Sequence, residues 1–383
     1  MKALQVLFCA LLIGVAGCES GRQPENELIT VDVTQHYPKK KLVLQDFLQV
    51  EYVPLEISDE FVNTGNVKDV TDNYIVITNG REGDLLLFDR ATGKGLQKIN
   101  RKGQGPEEYL LPINVLLEET TGELFVNDGP TSRIQVYDLS GNYKRSLSYR
   151  KGAFVSNIYK EEQDHLLGQD TYAPENTEGL HSFFLLSKQT GNTKILEIPY
   201  EKKLSTMLVK QVGDMVYGNA PRNSLIVPYQ GNWILTEPSA DTVYTSIPNT
   251  GLHPFLVRIP SVQSMTPEVF LFPGVQTDRY CFLQTVKKEC DLEKNEDMPK
   301  VNLMYDRQEK KLYECQVNNG DFKDREEDMS QRSMDQQIVF CTALNAADLV
   351  EANSKGELKG RLQEIASQLD EEDNPVIMLV KRK

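Results

Sequence analysis

The stretch LLLFDRATGK at residues 85–94 recurs as IQVYDLSGN at residues 134–142. In both copies an apolar run ends in an aromatic residue and an aspartate, and a glycine follows within four residues. The aspartate can accept hydrogen bonds from nearby backbone amides, and the glycine supplies the positive φ that a hairpin turn needs. Each copy therefore predicts two β-strands joined by a tight turn.

The same motif continues along the chain in looser form, as LLSKQTGN at 185–192 and LMYDRQEKK at 303–311. Asp89 and Asp138 are 49 residues apart. A repeat of about 40 to 50 residues with several short strands in each unit is typical of a β-propeller. Residues 28–343 would give about 53 residues to each of six blades or about 45 to each of seven, so the spacing leaves the blade number open.

The C-terminal segment, residues 345–383, has a different pattern. Residues 346–352 and 357–369 have helical periodicity, and residues 376–380 form an apolar run typical of a buried strand. One apolar stripe follows the second helix, made of Leu358, Leu362, Ile365 and Leu369. We expect this stripe to pack on the propeller; the alternative is that it binds a partner.

The N-terminus has the pattern of a bacterial lipoprotein signal. Lys2 precedes an apolar stretch at residues 3–15 that is too short to span a membrane, and VAGC at 15–18 follows it. We therefore predict a signal peptide at 1–17, lipidation of Cys18 and a polar tether at 18–27. The alternative is an ordinary signal peptide with a chance cysteine. Acyl chains on Cys18 would hold the protein in the cell envelope, and we expect the outer membrane.

A longer pattern extends the repeat. RKGQGPEEY at 101–109, Pro112, GELFVND at 122–128 and RIQVYDLSG at 133–141 together resemble one full NHL-type propeller repeat. The whole chain resembles the six-bladed β-propeller lipoproteins of the Bacteroidota, which also share a segment like VPLE at 53–56 and an ending like DNPVIMLV at 373–380. The resemblance is strong over residues 50–150 and at the C-terminus, and faint over 150–300.

This resemblance implies an all-β fold. It implies a six-bladed propeller over residues 28–383, with a short C-terminal helical segment and a closing strand. The N- and C-terminal strands are expected to share one blade and so close the ring. The function of the family is largely undefined, so the resemblance implies a fold and not an activity.

Composition excludes some partners and leaves others open. The net charge of −14 argues against nucleic acid, because phosphate binding needs a basic surface. Four cysteines would remain after export and lipidation, and they could form disulfides or be buried as small apolar residues: Cys281, Cys290, Cys315 and Cys341. No CxxC spacing indicates zinc. The four histidines lack ligand spacing, so no metal site is predicted: His36, His165, His181 and His253.

The NHL-like repeat also places candidate ligand residues. Its glycine-rich loop precedes an innermost strand, near one mouth of the central channel. Five polar side chains of the repeat are therefore predicted to line a ligand surface: Arg101, Lys102, Tyr109, Asp128 and Arg133. The alternative is structural, with Asp128 bonded to the turn that follows it and Arg133 bridging two blades.

No catalytic constellation is visible. Gly103-Gln104-Gly105 lacks the third glycine of a dinucleotide loop, since position 108 is Glu108. We therefore predict a binding or scaffold protein, held at a membrane, that engages a glycan fragment or another envelope protein. The alternative is a hydrolase or lyase acting on a sugar or lactone at the channel mouth, a site that in other propellers often holds calcium. A purely structural envelope protein is the third possibility.

Overall fold

The turns predicted from the repeated motif are confirmed. In the computed structural model of the chain, Asp89 Oδ1 accepts a hydrogen bond from Thr92 N at 2.8 Å, and Gly93 has a φ of +74°. In the second copy, Asp138 Oδ1 accepts hydrogen bonds from Ser140 N at 2.8 Å and from Asn142 N at 2.9 Å, and Gly141 has a φ of +80°. The looser copies also lie at hairpin turns of their sheets.

The structure describes residues 28–149, 153, 155–161, 164–170, 182–248 and 250–383. The predicted signal peptide at 1–17, Cys18 and the tether at 18–27 lie outside these ranges, as does His181. The helices in the described ranges are α1 (Leu44–Phe47), α2 (Ala346–Ser354) and α3 (Gly360–Ala366), with two short 3₁₀ turns at Gly129–Thr131 and Val262–Ser264. None of these helices has the length and apolar character of a membrane span.

The strands of the described ranges are short and follow one another closely along the chain. In chain order they are β1 (Ile29–Asp32), β2 (Lys39–Val43), β3 (Leu48–Pro54), β4 (Asn66–Val70), β5 (Tyr74–Asn79), β6 (Asp84–Asp89), β7 (Gly95–Asn100), β8 (Pro112–Glu118), β9 (Glu123–Asp128), β10 (Arg133–Asp138), β11 (Tyr143–Ser148), β12 (Val155–Glu161), β13 (His165–Asp170), β14 (Phe183–Ser187), β15 (Thr193–Leu196), β16 (Leu208–Val212), β17 (Met215–Asn219), β18 (Ile226–Tyr229), β19 (Asn232–Leu235), β20 (Thr242–Ile247), β21 (Gly251–Ile259), β22 (Val269–Gln276), β23 (Tyr280–Lys287), β24 (Lys300–Asp306), β25 (Lys311–Asn318), β26 (Ile338–Leu344) and β27 (Val376–Arg382).

These strands build the expected six-bladed β-propeller. Blade 1 is β4 to β7, blade 2 is β8 to β11, and blade 3 is β12 to β15, each in order from the channel outward. Blade 4 is β18 to β21 with β1 added at its outer edge, and blade 5 is β22 to β25 with β2 added in the same way. Both added strands are parallel to their neighbours. Apolar clusters between adjacent blades form the core.

Blade 6 closes the ring as the resemblance implied. Its sheet has the order β26-β27-β3, so strands from both ends of the chain pair with each other. Ile377 lies opposite Val53, and Leu379 opposite Glu51. Residues 329–335 form no strand, but they lie beside β26, where Thr342 Oγ1 donates to Gln331 Oε1 at 3.2 Å, and Arg332 Nε donates to Tyr159 of the innermost strand β12. This segment takes the innermost position of the blade.

The C-terminal helices are present, with different bounds from those predicted. The second helix runs only from Gly360 to Ala366, so Leu358 and Leu369 lie just outside it. Leu362 is fully buried, and the predicted stripe joins a cluster that includes residues of blades 5 and 6. The expectation that the stripe packs on the propeller is therefore confirmed.

Candidate functional site

The innermost strands surround a central channel, and a cavity lies at one of its mouths. We call this side the AB face, because the first (A) strand of each blade turns there into the second (B) strand, at residues 71–73, 119–122, 230–231 and 277–279. A cavity of about 370 Å³ opens at this mouth. Blades 1, 2, 3, 4 and 6 all contribute to its wall, including Asp72, Glu119, Lys160, Trp233 and Gln337.

An ion pair crosses the channel behind the cavity. Lys160 of β12 lies 2.9 Å from Asp69 Oδ2 of β4, and the side chain of Asp69 is 1% exposed. The backbone N–H of Leu117, in β8, donates to the same carboxylate at 2.8 Å. Although burial opposes it, the charge of Asp69 raises the pKa of Lys160. One carboxylate therefore joins the innermost strands of three consecutive blades.

A second carboxylate, Asp335, belongs to the cavity wall itself. Its Oδ1 accepts hydrogen bonds from the backbone N–H groups of Gln337 and Ile338 at 2.7 and 2.6 Å. Burial raises the pKa of this carboxyl, and the charge of Asp69 adds to the effect. Asp335 is therefore easier to protonate than an exposed aspartate, and it faces the same channel as Lys160.

Other charged groups of the rim are already bonded to neighbours. Glu118 lies 2.7 Å from Lys188 Nζ of blade 3. Glu119 accepts from Asn73 N at 2.9 Å and from Asn73 Nδ2 at 2.8 Å, which joins blade 2 to blade 1. These contacts fix the shape of the rim. They leave Asp72 and Gln337, both exposed, as groups that can turn towards a ligand.

Two of the five predicted ligand residues are not on a surface. Tyr109 and Asp128 are fully buried. The Tyr109 hydroxyl donates to Gly83 O at 2.7 Å, and burial raises its pKa to about 12. Asp128 accepts from Leu111 N at 3.0 Å and from Thr131 Oγ1 at 2.7 Å. For these two the prediction is corrected, because both side chains hold the loop and the turn that flank β8 and β9.

The other three predicted residues are exposed around the same loop. Arg101 Nε donates to Gly141 O at 2.7 Å, which ties blade 1 to a turn of blade 2. Lys102 Nζ donates to Arg81 O. Arg133 lies opposite Asp128 in the sheet. None of the five lies in the wall of the AB cavity. A ligand role for Arg101, Lys102 and Arg133 stays a prediction.

The sequence left open whether the cysteines form disulfides, and it predicted no metal site. The four cysteines that the structure describes are free, which decides the question that the sequence left open. Burial raises the pKa of the Cys281 thiol to about 11 and those of Cys315 and Cys341 to about 12. Among the described residues, no group of three or more His, Cys, Asp or Glu side chains could hold a metal ion.

An exposed hairpin stands outside the six blades. Strands β16 and β17 follow blade 3 and precede blade 4 along the chain, and they form their own two-stranded sheet. Val209 and Val216 share one face of the hairpin and are 55% and 68% exposed, while Met215, on the other face, is 60% exposed. The base is held to blade 5, where Asn219 Nδ2 donates to Glu296 O at 3.0 Å. Apolar side chains gathered in this way usually mark a contact surface.

The residues of the channel were missed by the sequence analysis. Lys68 and Asp69 lie between two valines, and Lys160 follows an apolar strand segment. Charged residues inside such runs were the available signal. The signal could not be used, because spacing along the chain does not pair residues that belong to different blades.

Comparisons with known proteins agree with this fold. A family model described as "Domain of unknown function (DUF4934)" matches residues 28–381. The chain is similar to the crystal structure of a proposed exported protein from Bacteroides fragilis NCTC 9343, with 16% identity, 93% of this chain and 100% of that chain covered, and a TM-score of 0.58. It is also similar to a member of the DUF4221 family from Bacteroides vulgatus ATCC 8482, with 8% identity, 88% and 100% covered, and a TM-score of 0.48. The comparison with curated proteins gave no match. At 16% identity the first likeness shows the propeller fold alone.

Proposed function

The chain belongs to the DUF4934 family. From the geometry of the channel we propose that it is a lipid-anchored binding protein of the cell envelope. In this proposal Cys18 carries the lipid. The AB cavity captures a small polar ligand, of the kind that a glycan fragment offers.

The cavity at the AB mouth is the observation that carries the proposal. Its volume of about 370 Å³ lies in the usual range of small-molecule sites. Trp233 and Met334 give its wall apolar surface, while Asp72 and Gln337 add polar groups. A sugar ring needs this combination, because its faces are apolar and its edges carry hydroxyls. The fixed rim contacts Glu118–Lys188 and Glu119–Asn73 support a preformed site.

The predicted anchor supports a place of action close to a membrane. The polar segment 19–27 spans at most about 30 Å when extended. A disc on such a tether meets its ligand near the bilayer surface. A variant with Cys18→Ser is expected to move from the membrane fraction to the soluble fraction and to lose incorporation of labelled fatty acid. Protease digestion of intact cells that carry the wild-type protein shows which face of the outer membrane it occupies.

Ligand binding can be followed without a label, because Trp233 is the one tryptophan of the chain and lies in the cavity wall. We expect fluorescence titration with a panel of glycan fragments and peptides to give a saturable change for at least one of them. Asp72→Asn and Gln337→Ala are expected to weaken that binding about tenfold each, which corresponds to one lost hydrogen bond of about 1.4 kcal/mol.

Gln368→Ala is the matched control, because Gln368 is exposed beyond α3, outside the cavity wall. The proposal is wrong if no panel member binds, or if the two cavity variants bind as well as the control variant. Conversion of a bound sugar or lactone into product would instead favour the hydrolase or lyase alternative.

A second candidate function, contact with another envelope protein, is favoured by the exposed hairpin β16–β17. Its two-stranded sheet has open edges and exposes Val209 and Val216. An apolar extended segment of a partner protein can add a strand to such an edge. A photo-crosslinking residue at position 216 is expected to capture one partner protein in cells. Val209→Thr should reduce that capture, and crosslinks only to lipid or to a second copy would contradict this role.

A further inference from the structure

Two positively charged side chains face each other in the channel on the far side of the Asp69–Lys160 pair from the AB mouth. Lys68 extends from β4 of blade 1, and Arg332 extends from the segment 329–335 of blade 6. Both side chains are half-buried. The charge of Arg332 lowers the pKa of Lys68, after the larger effect of burial, so the two cations lie within electrostatic range of each other.

Within the described ranges, the hydrogen-bond and ring partners of these two cations are electrically neutral. Lys68 Nζ donates to Ile113 O at 2.9 Å. Arg332 Nε donates to the Tyr159 hydroxyl at 3.4 Å, and the guanidinium carbon lies 5.2 Å from the centre of the Tyr159 ring. With the Asn114 amide turned so that its oxygen faces Arg332, that oxygen accepts from Nη2 at 2.8 Å and from Nη1 at 3.1 Å.

The missing counter-charge is unusual for this chain. It has 56 acidic and 42 basic residues, so carboxylates are plentiful. In the same channel Lys160 is paired with Asp69. Among the described residues, however, no carboxylate lies within ion-pair distance of Lys68 or Arg332. Two like charges held together in a partly desolvated channel oppose folding, unless something neutralises them.

We propose that Lys68 and Arg332 form a binding site for an oxyanion group, namely a carboxylate, sulfate or phosphate. With Asn114 and Tyr159 bound, the guanidinium keeps the outer N–H of each Nη atom to donate to such a group, and the ammonium of Lys68 adds a point charge. Tyr159 stacks on the guanidinium and fixes its orientation. Asn114 holds the two Nη atoms from the opposite side.

This site is distinct from the AB cavity. Neither Lys68 nor Arg332 belongs to the cavity wall. The Asp69–Lys160 pair and its contact with Leu117 lie between the two regions. Ile113, which binds Lys68, is the second residue of β8, at the end of that strand opposite to the AB turn. An anion therefore reaches the cations from the face opposite to the AB face, and the proposal stands whether or not a ligand binds at the AB mouth.

Thermal unfolding with added anions tests the proposal. An anion that binds only the folded protein raises the melting temperature in proportion to the logarithm of its concentration once that concentration exceeds Kd. Sodium sulfate, sodium phosphate and sodium glucuronate are each compared with sodium chloride at equal ionic strength. Sulfate also stabilises folded proteins in general, but that effect grows in proportion to the sulfate concentration and is the same in a variant that lacks the site.

Lys68→Met is the informative variant, because methionine keeps the aliphatic stem and removes the charge. It is expected to fold, to be at least as stable as the wild type without added anion, and to lose the logarithmic shift. Arg332→Lys should weaken the shift, since it keeps the charge but removes the Nη donors and the contact that holds them on Asn114. Lys294→Met is the matched control, because the Lys294 side chain is 71% exposed, and it should behave as the wild type.

The response to the three anions identifies the class. A shift with glucuronate alone points to carboxylates, and a shift with sulfate or phosphate points to tetrahedral oxyanions. The proposal is overturned if the wild type and the three variants show the same increase in melting temperature with every anion. It is also overturned if Lys68→Met keeps the logarithmic shift of the wild type.

Discussion

Lys160 of blade 3 reaches past blade 2 and lies 2.9 Å from Asp69 of blade 1. Blade 2 takes part through Leu117, whose N–H donates to the same carboxylate at 2.8 Å. Adjacent blades of this propeller meet through apolar side chains over most of their surface. At the channel, by contrast, one buried carboxylate fixes three innermost strands relative to one another. This contact lies at the inner end of the AB cavity, whose wall includes Lys160.

Removal of the Asp69 charge should therefore destabilise the ring. In Asp69→Asn the ammonium of Lys160 loses its counter-charge in a mostly buried position, and we expect a loss of about 3 kcal/mol in the free energy of unfolding. Chemical denaturation measures this loss. Asp370→Asn, at an exposed position, should change stability by less than about 0.5 kcal/mol. If the double variant Asp69→Asn/Lys160→Met is no more stable than Asp69→Asn, the unpaired lysine is not the cause.

The pair between Glu123 and Arg145 should make stability depend on pH. Two hydrogen bonds of 2.7 and 2.9 Å join them, and the Arg145 guanidinium lowers the pKa of Glu123 from 4.5 to about 2. A lowered pKa contributes stability that is present above pH 4.5 and is lost as the pH falls through about 2. Solvent at Arg145 reduces the effect, and we expect about 2 kcal/mol.

The measurement compares wild type with Glu123→Gln by chemical denaturation at pH values from 7 down to 2.5. The difference between the two proteins should be largest at neutral pH and should shrink in acid. Glu371→Gln, which is exposed, should follow the wild type at every pH. A difference that stays constant across this range would contradict the role assigned to the ion pair.

The closing strand should contribute to the stability of the whole ring. Leu379 is fully buried in β27, between β26 and β3. Leu379→Ala leaves a cavity where the two ends of the chain join, and we expect a loss of about 3 kcal/mol in the free energy of unfolding. Leu96→Ala makes the same chemical change at a position that is 49% exposed, and should cost less than about 0.5 kcal/mol. Equal losses of stability in Leu379→Ala and Leu96→Ala would show that closure of the ring does not depend on the packing of Leu379 in β27.

Tyr109 should act in stability and not in ligand binding. Its buried hydroxyl donates to Gly83 O and accepts from Arg101 N at 3.1 Å. Tyr109→Phe leaves both groups without a partner, so we expect a loss of about 1 to 2 kcal/mol with unchanged binding at the AB cavity. Tyr74→Phe is the control within the same apolar cluster. Loss of binding at full stability would restore Tyr109 as a ligand residue.

The free thiols should differ in reactivity. Alkylation needs the thiolate, and burial raises the pKa of Cys281, Cys315 and Cys341. Cys290 is half-buried, on the loop after blade 5's second strand. We expect iodoacetamide to label Cys290 first in the native protein and the other three only after unfolding. Peptide mass spectrometry without reduction checks this order, and a disulfide-linked peptide would contradict the free state of these cysteines.

The hairpin turns of the outer strands could be read from the sequence because they depend on neighbouring residues alone. Asp89 bonds amides within its own turn, and Gly93 adopts a positive φ that other residues rarely adopt. In blade 5, Asp306 Oδ1 likewise accepts a hydrogen bond from Gln308 N in its own turn. There Lys310, and not a glycine, adopts the positive φ, at +52°. Local interactions of this kind recur with the repeat, and they were enough to predict the class of fold.

The candidate ligand residues show where this reasoning failed. Tyr109 and Asp128 were recognised from a family pattern, but a pattern does not say whether a polar side chain faces a ligand or its own backbone. The structure shows that both face the backbone. Blade 6 was predicted only as a shared blade. That residues 329–335 take its innermost position, and bring Arg332 into the channel, had no local signal.

The β-propeller class, the turns of the repeat and the helical character of the C-terminal segment could be read from the sequence, because hydrogen bonds and apolar periodicity within a few residues specify them. The resemblance added the six blades and the shared closing blade. Which charged residues meet depends on the tertiary structure. Asp69 and Lys160, or Asn114 and Arg332, come together because the ring brings the innermost strands of separate blades around one axis. Contacts of that kind depend on the closure of the whole ring, and so no spacing along the chain encodes them.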